Sequence, residues 1–102
     1  ILFILNNNGY GSIKSTQKNH FNNFLVASDP ESGLTLPSIS KTAKLFDIDY
    51  KLINNNKELI SALPDIIKHN SSMIIELMIK IYLLENLIYI MLRMFIMILK
   101  IT

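Results

Sequence analysis

The order of apolar runs and turns predicts an α/β fold: a partial parallel sheet with flanking helices, plus an apolar C-terminal helix. Three observations carry this. Ile1-Leu2-Phe3-Ile4-Leu5 is an unbroken apolar run that stops at Asn6, the pattern of a parallel strand covered on both faces. Met73 to Ile79, broken only by Glu76, is a second such run. Between them lie stretches of helical period, and strand alternating with helix produces a parallel sheet.

Each element has its own signal. Gly9 and Gly11 allow the chain to turn sharply out of the first strand, and Ser12 to about His20 is read as a helix. Asn22 to Gly33 is a loop, marked by Asn-Asn, Ser-Asp-Pro and Ser-Gly clusters. Leu36-Pro37-Ser38-Ile39 opens the next helix with proline in its first turn. Ile39, Ala43 and Phe46 give that helix one apolar face. Tyr50 to Ile53 is a short strand. Asn55 and Glu58 have the spacing of a capping box, and Leu59, Leu63, Ile66 and Ile67 form the stripe that follows. Pro64 removes one backbone donor there and is expected to kink or interrupt the helix.

Composition narrows the function. With 10 basic against 8 acidic residues and a net charge of +2, the chain lacks the clustered basic face of a nucleic-acid binder. It has no cysteine, so disulfide and thiolate-metal chemistry are excluded; a reducing, cytoplasmic compartment is expected. The run Ile1 to Leu5 is too short for a secretory h-region and has no basic flank. The chain opens on Ile already inside a strand, so an N-terminal part is expected to precede it.

The residues with the strongest chemical signal are Asn6-Asn7-Asn8-Gly9-Tyr10-Gly11-Ser12-Ile13. Three amides at the mouth of an apolar strand have no packing explanation, and open α/β sheets bind ligands where strand carboxyl ends meet the next helix. An Asn-rich turn would by itself also explain Asn and Gly here. His20 and His69 each stand alone and are read as solvated or capping residues. Asp29 and Glu31 are read as parts of an ordinary Ser-Asp-Pro turn. Glu76, inside an apolar strand, requires a partner or an exposed strand end and is read as structural.

An apolar strand running into Asn-Asn-x-Gly-Tyr resembles the diphosphate-binding domain of thiamine diphosphate-dependent enzymes, the acetolactate synthase and pyruvate decarboxylase group. Phe24 to Ala27, Ser28-Asp29-Pro30-Glu31-Ser32-Gly33, Leu36-Pro37 and Lys41 to Ile48 resemble later segments of that domain, with Asp47 where the family usually has glycine. The match covers residues 1–79. Three asparagines allow the family's Asn-Asn pair to be 6–7 or 7–8, and the Asn-x-Gly-Tyr spacing selects 6–7.

On that register the resemblance implies Asn7 as a side-chain ligand and Gly9 as a carbonyl ligand of Mg2+, with Asn6 in support. Magnesium takes few oxygens from a protein and the rest from phosphate and water. The resemblance further implies that Asn8 and Tyr10 flank the cofactor diphosphate, that Gly11 and Ser12 open a helix whose amides face it, and that Ser12 and Ile13 line the thiazolium pocket. The implied whole is a homo-oligomeric enzyme acting on 2-keto acids, in which a glutamate of another domain, from a second subunit, activates the cofactor. The family's Gly-Asp-Gly segment is not in this sequence, so this chain is expected to be inactive, or nearly so, by itself.

Residues 80–102 depart from the family. They contain no Gly, Pro, Ala, Val or Asp and have about the length needed to cross a bilayer. Arg93, near their middle, would cost about 2.5–3.5 kcal/mol inside one, with Glu85 and Asn86 adding to it. Asn86, Arg93 and Lys100 recur every seven residues with Tyr82 and Tyr89 beside them, which suits a helix lying on a membrane or partner. Out-of-frame AT-rich coding sequence gives the same composition and is the preferred reading of this tail. A small membrane-associated protein, or a non-functional truncated product, is the alternative to the enzyme-fragment reading.

Overall fold

The computed structural model describes residues 1–79, 92–96, 99 and 100. Strand β1 (Leu2–Asn6) leads through a glycine turn into helix α1 (Gly11–His20). A long loop follows, holding one short 3-10 turn (Pro30–Ser32), then α2 (Ile39–Leu45) and β2 (Asp49–Ile53). Helix α3 (Asn56–Lys68) and β3 (Met73–Met78) complete the order. The predicted alternation and its parallel sense are both found: β1 and β2 each pair in parallel with β3, in the order β1-β3-β2.

β3 is therefore the central strand, and Ile74, Ile75, Glu76 and Leu77 are all buried. Alternation splits them between the two faces. Ile75 and Leu77 join Ile53 and the stripe Leu59, Ala62, Leu63 and Ile66 of α3 in one core cluster, with Phe3, Met73 and Met94 packed against it. Full burial of each such aliphatic side chain is worth about 1.5–3 kcal/mol, so α3 against this face is the principal source of cohesion.

Several expectations need correction. β1 lies at a sheet edge rather than between covered faces, and Leu2 and Leu5 are exposed. A continuous apolar run does not reveal which neighbours are present. Pro37 stands before the cap of α2, not in its first turn; Ser38 is the cap, accepting from the Lys41 amide. Phe46 leaves the predicted face and is exposed, because α2 ends at Leu45. Pro64 does not interrupt α3, which runs through it to Lys68. The cost of one lost donor is set against a whole buried stripe. Asp47 has φ 52, the left-handed conformation for which glycine is the easier choice.

Residues 92–96, 99 and 100 are helical, and Leu92, Phe95, Ile96 and Leu99 are exposed. The remainder of the predicted apolar helix, with Tyr82, Glu85, Asn86 and Tyr89, lies outside the described residues. Among the described residues no helix is long and apolar enough to cross a membrane.

Candidate functional site

The turn between β1 and α1 opens onto a cleft of about 290 Å³ at the carboxyl end of the sheet. Its walls are Asn7 to Gly11 and Lys14 on one side and Ser28 to Glu31 on the other. Parallel strands place such a turn at one end of the sheet, with the following helix starting there.

Asn6 is fixed within the fold. Its side-chain amide donates to Glu76 Oε1, Tyr50 donates to Glu76 Oε2, and the backbone amide of Asn8 donates to Asn6 Oδ1 at 2.8 Å. The Ile79 amide donates to the Asn6 carbonyl at 2.8 Å, which continues the sheet to the strand's last residue. Buried Glu76 thus has the partners its burial demands. Burial and the neighbouring carboxylate push the Tyr50 hydroxyl up to about 12.

Asn7, by contrast, faces the cleft. Its Oδ1 accepts the Gly9 amide at 3.3 Å, and a carbonyl oxygen with two lone pairs retains one for another partner. Asn8 takes the left-handed conformation, φ 58, to swing the chain round. Gly9 is required by a close approach. A Cβ there would lie 2.4 Å from the Ser28 carbonyl oxygen and 3.3 Å from Asp29 Cα. At Gly11 a Cβ would come 3.2 Å from Asn7 Nδ2. Next to these contacts the Tyr10 amide donates to the Ser28 carbonyl at 2.8 Å, tying the turn to the opposite wall.

Helix α1 opens without a side-chain cap and without an acidic residue in its first turn. The amides of a helix's first turn have no partner within the helix, and they carry partial positive charge. Such a start suits an anion.

The opposite wall is a stapled loop. Ser28 and Asp29 are buried. The Ser32 hydroxyl receives the amides of Ser28 and Asp29, each at 3.0 Å, and Asp29 Oδ1 receives the Ser32 amide at 2.9 Å. Lys14 reaches from α1 to pair with Asp29 Oδ2. The Lys14 ammonium, and then Ser32, hold the Asp29 carboxyl down at about 2, so it is ionised at any ordinary pH.

Of the residues singled out in the sequence, Asn7, Asn8, Gly9, Tyr10 and Gly11 are brought together on the cleft. Ser12 and Ile13 are not among its walls; both are exposed on the first turn of α1, where the Ser12 carbonyl accepts from the Thr16 hydroxyl. Lys14, Ser28 and Asp29 were not anticipated. Asp29 read as an ordinary turn residue, and it is a cap as such residues are, yet it also lines the cleft. Only the sequence Ser-Asp-Pro-Glu-Ser-Gly, a cap signal opposite the asparagines, hinted at its place. His69 ends α3 and lies 2.9 Å from Asp49, away from the cleft lining. No group of three or more His, Cys, Asp and Glu suited to a metal occurs among the described residues; a magnesium site built on amide and carbonyl oxygens would not need one.

No curated protein matches the chain. A family model does, that of the thiamine pyrophosphate enzyme C-terminal TPP-binding domain, over residues 1–77. That span holds β1, β2 and β3 as far as Leu77, both cleft walls and helices α1 to α3, so the chain belongs to the C-terminal thiamine diphosphate-binding domains of thiamine pyrophosphate enzymes.

Proposed function

We propose that this chain is the diphosphate-holding part of a thiamine diphosphate- and magnesium-dependent enzyme that decarboxylates or joins 2-keto acids, of acetolactate synthase or pyruvate decarboxylase type. The observation that carries the proposal is the pairing of Asn7 with Gly9 at the mouth of β1, with Gly9 pressed against Ser28. The site fits the group. It offers neutral oxygen donors, a backbone cradle that a Cβ would fill, and an uncapped helix start.

In this reading Asn7 Oδ1 and the Gly9 carbonyl hold Mg2+. Asn8 and Tyr10 flank the diphosphate, and the amides of Gly11, Ser12 and Ile13 face it. Bound thiamine diphosphate supplies the electron sink for breaking or making the bond beside the keto carbonyl. The chain's own residues bind and orient, and none is assigned a proton transfer. The exposed Phe21, Phe24 and Val26, all within six residues after α1, support burial of that segment in a homo-oligomer. A cytoplasmic setting rests on the cysteine-free composition alone.

Two oxygens without a carboxylate make a weak magnesium site, so the chain by itself should bind thiamine diphosphate in the millimolar range and only with magnesium. Amide chemical shifts of residues 7–14 followed through a titration would show it. Asn7→Ala should weaken that binding about tenfold, as loss of a ligand worth about 1.4 kcal/mol does, and Asn8→Ala much less. Equal effects, or the reverse order, would move the magnesium ligand to Asn8. Binding indifferent to magnesium would overturn the reading.

A further inference from the structure

We propose that Lys14 is a diphosphate-binding residue of this cleft and that Asp29 is the positioning residue that holds its ammonium there. The inference rests on the diphosphate reading above and adds to it a cationic side chain. Lys14 is the fourth residue of α1. Helical side chains lean toward the N-terminus of their helix, so a long side chain at this position is directed back to the uncapped first turn. Lys14 does this: it lines the cleft beside Asn7, Gly9 and Gly11 and pairs with Asp29 across it.

The pair is asymmetric in a telling way. The Asp29 side chain is 10% exposed and that of Lys14 is 23% exposed. Asp29 is also fastened from behind by Ser32. Both residues line the cleft; the carboxylate is a fixed point in the wall, and Lys14 is the more exposed member of the pair. An ammonium has three donors and no acceptor. It can keep one bond to a carboxylate while giving another to a phosphate oxygen. A diphosphate carries more negative charge than one magnesium ion neutralises, and neutral amides alone leave the surplus uncompensated. Charge-assisted bonds are the strong ones in such a setting. Without the carboxylate anchor, a lysine would lose rotamer freedom at each binding event; with it, that cost is already met in folding.

The test uses the whole chain, titrated with magnesium thiamine diphosphate and, separately, with magnesium pyrophosphate, and read by amide chemical shifts. Lys14→Met should weaken both ligands about tenfold, and Lys14→Arg should stay within about threefold of the unaltered chain, because charge rather than shape is at issue. The spectrum of each variant without ligand reports whether its fold is kept. If Lys14→Met binds both ligands as the unaltered chain does while Asn7→Ala is weakened, Lys14 has no such role and the cofactor reading stands. If the unaltered chain responds to neither ligand, both fall. If it responds to pyrophosphate alone, and Lys14→Met abolishes that response, the diphosphate role of Lys14 holds and the thiamine reading falls.

Discussion

Among the described residues two strand-to-helix joints carry asparagine triplets, and the first of them lines the cleft. Asn6-Asn7-Asn8 starts on the last residue of β1, and Asn54-Asn55-Asn56 follows β2. Both lie at the same end of a parallel sheet. At the second joint Asn54 and Asn55 are turned inward on the chain. Asn55 caps α3 by accepting the Glu58 amide at 2.9 Å, and the Glu58 carboxylate accepts from the Asn54 amide and the Asn55 side chain, each at 2.8 Å. The helix starts at once. At the first joint two glycines and a left-handed Asn8 lengthen the turn, and α1 begins uncapped. Asparagine at a strand end is therefore not a ligand signal by itself. What separates the joints is whether the following helix supplies its own acid.

The largest effect expected from breaking this contrast is at Gly9. Gly9→Ala forces a Cβ to within 2.4 Å of the Ser28 carbonyl. Relieving it should part the two walls, cost about 2–3 kcal/mol as overpacking does, and remove ligand binding. Denaturant unfolding together with the ligand titration checks both.

Asn55→Ala is the converse case. It should cost about 1 kcal/mol, as loss of an asparagine cap does, and leave ligand affinity unchanged. A loss of affinity there would show that the two joints are coupled after all.

The smallest effect is one of slope. Asp29 has its carboxyl held at about 2 against an ordinary value of 3.8. Its contribution is fully present above the ordinary value and is lost as pH falls from there through about 2. Glu58, also lowered, chiefly by the Asn54 amide, acts in the same direction at the other joint. Asp29→Asn should flatten the acid limb of stability against pH without removing it, and the residual limb reports Glu58. Thermal melts across that range would measure it.

Much of this was legible in the sequence, and for physical reasons. The stripe Leu59, Leu63, Ile66 repeats with the helical period, so α3 and its core face could be read directly. The cleft residues Asn7 to Gly11 are contiguous, so their assembly needs no tertiary knowledge. Lys14 and Asp29 are separated by a loop whose course is set by left-handed Asn22, Asn23 and Ala27, with φ of 53, 59 and 47. No periodicity encodes such a path, so the pair was not visible. The exposure of β1 was likewise hidden, since burial belongs to the sheet order and not to the strand.

The bond from Asn6 to Glu76 spans 70 residues, and it has a consequence in time. Synthesis delivers the β1 turn well before the strand that anchors it. Until Glu76 and Ile79 emerge, Asn6 has neither its carboxylate nor its final backbone bond. Contacts so distant in sequence form late, because closing the intervening chain must precede any gain from them. The cleft turn is then complete only once β3 has been made, and a nascent chain halted before β3 would hold the asparagines without the bonds that fix Asn6.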